Sequence, residues 1–248
     1  MMKMTETVKQ LLIINIIFFV GAQLVPLANP MFSMYYPESP NFRIWQPITH
    51  MFMHGSVMHI MFNMFALYSF GSTLEHFWGA KKFIFFYFSC GLGAVLLHTG
   101  INYYHYHHVL TLLQEAKIPQ SEILAILKEG SYNNTLLDIV PLSDIKNMYL
   151  AFNTPVLGAS GAIYGLLVAF AFMFPNAELG LMFIPIPIKA KYFVPIYLLL
   201  YDGFFGIFGS SFGMGDDVAH FAHLGGALTG FLMMWYWKKT QFNKNRWN

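Results

Sequence analysis

The sequence is poor in cysteine and in charged residues for a chain of 248 positions. Cys90 is the only cysteine, so an intrachain disulfide is excluded. Only 10% of the residues are Asp, Glu, Lys or Arg, whereas 56% are hydrophobic and the mean hydropathy is +0.48. Soluble domains carry about 25% charged residues, so this composition excludes a soluble globule and indicates a membrane protein. The net charge of +2 does not indicate nucleic-acid binding.

Six apolar stretches are long enough to cross a bilayer, because roughly twenty apolar residues span it as a helix. They cover approximately residues 10–28, 51–74, 82–101, 153–174, 181–209 and 218–237. The stretches are continuous and do not alternate, which favours helices over a lipid-facing barrel. The sequence therefore predicts an all-α fold with six transmembrane helices in one domain, 1–248, carrying an insertion at about 102–152.

The positions of lysine and arginine predict the orientation in the membrane. If both termini are cytoplasmic, ten of the fourteen Lys and Arg residues lie inside: Lys3, Lys9, Lys81, Lys82, Lys189, Lys191, Lys238, Lys239, Lys244 and Arg246. No convincing cleavage site follows the first span, so we expect it to remain as an anchor. The length and the lack of a targeting sequence suggest a bacterial inner membrane, with an organelle membrane as the alternative.

Two chemically reactive residues lie inside predicted spans. Ser160 is in the segment Gly158-Ala159-Ser160-Gly161 of span four, and His223 lies early in span six. Polar groups are costly in hydrocarbon, so each is a candidate functional residue. A serine with a histidine suggests a nucleophile and its general base.

The predicted topology places several polar side chains at one depth. Ser160 would be about seven residues into its span and His223 about five, so both would lie roughly 10 Å below the outer surface. His59 and Asn63 are four residues apart in the outer half of span two and therefore share one helix face. Four hydrogen-bonding groups are thus expected at the same level.

Glycine pairs follow both reactive residues and offer a means of bringing them together. Gly161 and Gly165 follow the serine, while Gly226 and Gly230 follow the histidine. Small residues at this spacing let membrane helices approach closely, which is a packing role by itself. If these two faces pack together, the serine and the histidine just above them become neighbours.

Other titratable residues compete for a role near the site. His220 stands three residues before His223 on nearly the same face, but closer to the aqueous rim. Asp216 and Asp217 lie higher still and are poorly placed as a third catalytic member. We therefore expect a Ser-His dyad whose base has no carboxylate partner. Asp202 in span five is expected to form a buried hydrogen bond to a backbone or tyrosine partner.

Three motifs occur in order on spans two, four and six. Span two contains His54-Gly55-Ser56-Val57-Met58-His59-Ile60-Met61-Phe62-Asn63, followed by Gly71-x-x-x-Glu75. Span four contains Gly158-Ala159-Ser160-Gly161 with Tyr164 one turn later, and span six contains Ala222-His223-x-x-Gly226-x-x-x-Gly230. Together they resemble the rhomboid intramembrane serine proteases, and the resemblance covers all six predicted spans. It selects His223 over His220 as the base.

The resemblance implies a role for each matching residue. Ser160 would be the nucleophile and His223 the general base and then acid. The oxyanion would be held by His59, Asn63 and the backbone at Gly158 and Ser160. The supporting residues would be Tyr164 against the His223 imidazole, Glu75 as a buried structural acceptor, His50 and His54 at the polar entrance, and Gly161, Gly226 and Gly230 in helix packing. No metal and no other cofactor is implied.

Two loops also correspond to the family pattern. Residues 29–48 would be a membrane-embedded first loop, although an anchoring loop is equally compatible. Residues 209–217 would be a mobile cap, with a plain connector as the alternative. The family often has Trp-Arg early in the first loop where this chain has Trp45-Gln46, so the hydrogen bonds of that loop are expected to differ.

The insertion contains two further patterns. Ser121 is expected to cap a short amphipathic helix that Gly130 ends. His-x-His-His at 105–108 is a weak metal pattern, and a solvated interfacial loop is favoured there.

The predicted function is hydrolysis of peptide bonds in transmembrane substrate proteins near the outer membrane face. Such substrates should carry small or helix-breaking residues near the cut, because a helix must unwind first. The expected partners are these substrates and membrane lipid, with no nucleic acid and no metal. One alternative is a catalytically inactive rhomboid-like protein that binds membrane clients. Another is a metal or proton transporter using the ten histidines and Asp202.

Overall fold

The computed structural model of the chain describes residues 3–181, 184–198, 200, 202–203 and 219–240. The expected cap at 209–217, with Asp216 and Asp217, lies outside these described residues. Nearly all of the described secondary structure is helical, with one small two-stranded sheet.

Eleven α-helices are present in the described part of the chain. They are α1 Glu6–Leu24, α2 Ala28–Phe32, α3 Gln46–Thr49, α4 Val57–Ala66, α5 Ser72–Trp78, α6 Ala80–Glu115, α7 Gln120–Glu129, α8 Leu142–Asn153, α9 Ser160–Met173, α10 Ala190–Tyr197 and α11 His220–Thr240. Short 3-10 turns cover His50–Phe52 and Asn134–Asp138, and a π-helical turn, Leu67–Gly71, joins α4 to α5. Strands β1 Glu178–Leu181 and β2 Ile184–Lys189 form the antiparallel sheet.

The centre of the bundle is formed by α6, α9 and α11, which pack against one another. The side chains of Phe83, Phe86 and Tyr87 on α6 are fully buried there, together with Leu166 on α9. Within the described residues, α1 and α6 are long and apolar enough to cross a membrane, and α9 is a shorter apolar helix.

The prediction of six continuous membrane helices is not confirmed. Span two is divided into α4, the π-helical turn and α5. The predicted span at 181–209 begins instead with the β1–β2 hairpin and then α10, and part of it lies outside the described residues. Helix α9 has 14 residues and begins at Ser160, because Pro155 and Gly158 (φ 122°) keep the preceding chain out of the helical conformation.

The two glycine faces of α9 and α11 are in direct contact. A Cβ atom added to Gly230 would lie 2.8 Å from the Cα of Gly165, closer than such atoms approach in real proteins. A Cβ atom on Gly226 would overlap the carbonyl group of Gly161. The backbones of the two helices therefore touch at the positions where side chains are missing, as small residues in membrane helices allow.

Glu75 of α5 ties the start of α1 to the bundle. Its carboxylate accepts hydrogen bonds from the backbone N–H groups of Thr7 at 3.2 Å and Val8 at 3.0 Å, and from the Thr5 hydroxyl. The first N–H groups of a helix have no partner within the helix, so a carboxylate there is stabilising. The start of α1 and the end of α5 consequently lie at the same end of the bundle.

Gln46 organises the loop at the opposite end of the bundle. Its buried side chain accepts hydrogen bonds from the backbone N–H groups of Arg43 at 3.0 Å and Tyr35 at 3.3 Å, and donates to the Asn41 carbonyl at 3.0 Å. Gln46 stands where the family often has arginine, and its side chain makes hydrogen bonds to the backbone of the loop itself.

Helix α6 continues without a break to Glu115, past residue 102, where the insertion was predicted to begin. The histidines at 105–108 are therefore helical and not in a loop. Helix α7 ends at Gly130 in the left-handed conformation (φ 68°), as predicted, but it begins at Gln120 and Pro119 takes the capping position expected of Ser121.

Helix α8 packs on the C-terminal part of α6, and α7 packs on α8. Apolar side chains of the three helices share a second hydrophobic cluster. It contacts the first loop through the rings of Tyr36 and Tyr106, whose centroids are 5.5 Å apart. The His107 Nε2–H donates to Glu38 Oε1 at 2.8 Å at the same junction. The insertion thus packs on the loop that closes this end of the bundle.

Candidate active site

Ser160 lies at the first position of α9, at the end of an extended segment, and not seven residues into a helix as the sequence predicted. The turn before it depends on Gly158, whose φ of 122° is rare for other residues. A Cβ atom there would also come within 2.8 Å of His59 Nε2. The Gly158 N–H donates to the His50 carbonyl at 2.9 Å, which holds the segment in place.

His223 on α11 faces Ser160 across the glycine contact between the two helices. The Ser160 hydroxyl donates to His223 Nε2 at a distance of 2.9 Å. The Tyr164 ring, one turn below the serine, stacks on the imidazole with ring centroids 4.2 Å apart and an interplanar angle of 13°. This stacking holds the imidazole plane, so its Nε2 lone pair points at the hydroxyl.

Asp202 contacts the other nitrogen of the same imidazole, which corrects the expectation of a base without a carboxylate partner. Its Oδ1 atom lies 2.8 Å from His223 Nδ1 and 2.8 Å from His220 Nδ1, and the residue is fully buried. Two histidines thus contact Asp202, and the Tyr164 side chain also interacts with its carboxylate, so the expected tyrosine partner is present beside them. The position of Asp202 as an acid in a predicted span was the available signal.

Asn63 and His59 lie on the wall of the same cavity as Ser160 and Gly158. Asn63 is buried, and its Nδ2 has no hydrogen-bond partner among the described residues. A buried amide donor without a partner is costly unless it meets an acceptor during function. The backbone N–H of Ser160 is also free of helical partners, because it belongs to the first turn of α9. Asn63, His59 and Ser160 thus line the same cavity.

His50 and His54 lie behind these donors. The His50 Nδ1–H donates to the Gln46 carbonyl at 3.0 Å, and the residue also lines the cavity. His54 is fully buried with its ring centroid 5.0 Å from that of His59. Its Nε2 atom has no hydrogen-bond partner in the described part of the chain, which makes this a polar region beneath the first loop.

The cavity at Ser160 is large, with a volume of about 1400 Å³. It runs from the serine along α4, the π-helical turn and α5, where Ser69, Ser72 and Thr73 line it. Phe193 and Tyr197 of α10 line it as well. Small-molecule sites usually enclose about 300–1000 Å³, so this space exceeds what a small ligand requires.

The sequence matches the Rhomboid domain over residues 41–240. Rhomboid protein 1, mitochondrial, of Saccharomyces cerevisiae is 28% identical over 189 residues, which are 76% of this chain and 40% of the relative. An uncharacterized mitochondrial rhomboid protein of Schizosaccharomyces pombe is 27% identical over 161 residues, 62% of this chain and 41% of the relative. Rhomboid protease GlpG of Salmonella paratyphi A is 31% identical over 71 residues, 28% of this chain and 26% of the relative.

The matched region therefore spans less than half the length of each of these relatives. Two of them carry the word mitochondrial in their names, so the expectation of a bacterial inner membrane is not supported. The domain match covers residues 41–240, a range that includes Ser160, His223 and the donors beside them. The chain belongs to the rhomboid family of membrane proteins.

Proposed function

We propose that the chain is an intramembrane serine endopeptidase that cleaves transmembrane substrate proteins. One observation carries the proposal: Ser160 Oγ, His223 and Asp202 form a continuous hydrogen-bonded series at 2.9 and 2.8 Å. A hydroxyl bonded to an imidazole that is itself oriented by a carboxylate is the arrangement that activates a serine nucleophile. A relative named Rhomboid protease GlpG adds support.

In the proposed reaction, His223 Nε2 accepts the Ser160 proton as Oγ attacks the substrate carbonyl carbon. Asp202 accepts the Nδ1–H throughout, which fixes the tautomer and stabilises the imidazolium that forms. The imidazolium then gives its proton to the leaving amine, and an acyl-enzyme remains. Water attacks the ester, His223 again takes and returns the proton, and Ser160 is restored.

The developing oxyanion would be held by the Ser160 backbone N–H, Asn63 Nδ2 and His59. The absence of a partner for Asn63 Nδ2 among the described residues suits a donor that is used only in the transition state. Preorganised donors of this kind need no reorientation during the reaction.

Asn63→Ala should lower kcat by about 10²–10³, the usual effect of losing one oxyanion donor. Its KM should change little, because the donor acts on the charge that develops after binding. The measurement is cleavage of a reporter transmembrane substrate by the purified variant in liposomes. Asn134→Ala, at an exposed position far from the cavity, is the matched control and should cleave at the parental rate. Parental activity of the Asn63 variant would remove this residue from the mechanism.

As part of the proposal, the chain crosses the membrane six times with both termini in the cytoplasm. Two contacts support helices that alternate in direction across the membrane. Glu75 contacts the start of α1 at one end of the bundle, and Met34 pairs with Val156 at the opposite end. The site would then lie near the outer face. Its cavity has room for an unwound substrate segment, which favours small or helix-breaking residues at the cut.

A fluorophosphonate probe tests the proposal directly, because an unactivated serine does not react with it. The purified native protein should be labelled at Ser160, and the adduct should be located by peptide mass spectrometry. Heat-denatured protein should not be labelled, and neither should Ser69, which lines the same cavity. Absence of labelling, together with absence of cleavage for a panel of transmembrane substrates, would favour the alternative of an inactive client-binding protein.

A further inference from the structure

Asp202, His220 and His223 form a buried cluster in which one histidine has no part in the proposed reaction. We propose that this cluster binds a divalent transition-metal ion, with Zn²⁺ as the best fit, and that the ion reversibly inhibits the enzyme. Binding can be measured without any catalytic activity, whereas the inhibition rests on the proposed function. The sequence had predicted no metal site here.

The geometry of the cluster suits a three-ligand site. Each residue offers one ligand atom, and these atoms lie within 4.8 Å of one another. Zinc binds histidine nitrogen at about 2.0–2.1 Å and carboxylate oxygen at about 2.0–2.2 Å, with tetrahedral geometry. Ligand atoms around such an ion are about 3.3 Å apart. Binding would therefore require Asp202 Oδ1, now 2.8 Å from each nitrogen, to move slightly away, and the two histidine nitrogens, which lie within 4.8 Å of each other, to come closer together.

The second carboxylate oxygen of Asp202 points independently to a missing partner. Asp202 Oδ2 is buried and accepts no hydrogen bond from the described residues. A buried carboxylate oxygen without a partner is costly, and a bound cation would offset its charge. His223 belongs both to this cluster and to the wall of the cavity at Ser160, so the cluster lies next to that cavity. A water molecule or exchangeable ligand can complete the fourth position.

Metal binding would prevent His223 from acting as a base. The ion takes the lone pair of Nδ1, so the single proton of the neutral imidazole must reside on Nε2. Nε2 is the atom that accepts the Ser160 hydroxyl hydrogen bond, at 2.9 Å. A protonated Nε2 cannot take the serine proton, and the link between Nδ1 and Asp202 is replaced by a bond to the metal. The inhibited form therefore keeps its fold and loses its general base.

Zinc binding is tested on the Ser160→Ala protein, which has no nucleophile. After incubation with ZnCl₂ and desalting, inductively coupled plasma mass spectrometry should find one zinc ion per chain. The same protein with His220→Asn added should contain no bound zinc. Asparagine keeps a donor for Asp202 but not the imidazole ligand. Losing an outer-shell partner of a metal typically weakens affinity by about 10–100-fold, so losing a ligand should cost at least about a hundredfold. His108→Asn, at an exposed position on α6, is the matched control and should retain zinc.

Inhibition is tested on the cleaving protein, with each rate divided by that variant's own metal-free rate. ZnCl₂ should inhibit the parent, EDTA should restore it, and His220→Asn should require at least about a hundredfold more zinc. MgCl₂ should have no effect, because Mg²⁺ prefers oxygen ligands. Fluorophosphonate labelling of the His220→Asn protein verifies that its active site is intact. If the His220→Asn protein does not fold, the His220→Gln protein takes its place. Equal zinc content or equal sensitivity in these variants and the parent would overturn the proposal.

Discussion

Ser160→Ala should abolish cleavage of a transmembrane reporter substrate and leave the fold unchanged. The Ser160 hydroxyl is bonded to His223 Nε2 at 2.9 Å and is the group that forms the acyl-enzyme in the proposed reaction. Removing the nucleophile of a serine protease lowers kcat by about 10⁶, which would be below detection for a slow membrane enzyme. Alanine is well tolerated in a helix, so α9 should form as before. The measurement is substrate cleavage in liposomes, followed by gel electrophoresis.

Ser69→Ala is the matched control for this change. Ser69 lines the same cavity but lies on the π-helical turn, away from the histidine, so its alanine variant should cleave at close to the parental rate. Both variants should elute as the parent does in size-exclusion chromatography and melt at a similar temperature. Cleavage that persists in the Ser160 variant, with no contaminating protease, would refute the assignment of the nucleophile.

Asp202→Asn should lower kcat by about 10⁴, the effect seen when the carboxylate of a catalytic triad becomes an amide. The neutral amide neither holds His223 in the tautomer that leaves Nε2 free nor stabilises the imidazolium. Because Asp202 lies behind the imidazole and away from the substrate carbonyl, the KM should change little. Steady-state kinetics with the same reporter, at saturating and limiting substrate, separate these two effects.

Asp138→Asn, in the exposed turn before α8, is the control for the loss of one acidic charge and should retain parental kinetics. If the Asp202 variant cleaves at the parental rate, the contact seen with His223 is structural. The reaction would then depend on a Ser-His dyad, as first expected from the sequence. The melting temperature of the Asp202 variant is measured beside the rate, so that a loss of stability is distinguished from a loss of catalysis.

The residues at the site could be selected from the sequence because of the medium in which they lie. Ser160 and His223 stand out because polar groups are rare and costly in apolar segments. His59 and Asn63 are four apart, which places them on one face whatever the neighbouring helices do. The glycine spacing on α9 and α11 also depends only on local helix geometry.

Asp202 could be noticed but not assigned, since 21 residues separate it from His223. Its orientation depends on the π-helical backbone at 202–203, and a local change of helical phase moves a side chain to another face. The start of α9 at Ser160 was missed for a related reason. It follows from Gly158, whose close approach to His59 involves another helix.

Composition and local periodicity were thus sufficient for the membrane class, and the three motifs were sufficient for the resemblance to the family and for the proposed nucleophile and base. These features depend on the cost of polar groups in hydrocarbon and on the 3.6-residue helical repeat, both of which act within a single segment. The meeting of Ser160, His223 and Asp202 required the fold. Each of the three comes from a different segment, and their separations depend on how closely the backbones of α9 and α11 approach at their glycines.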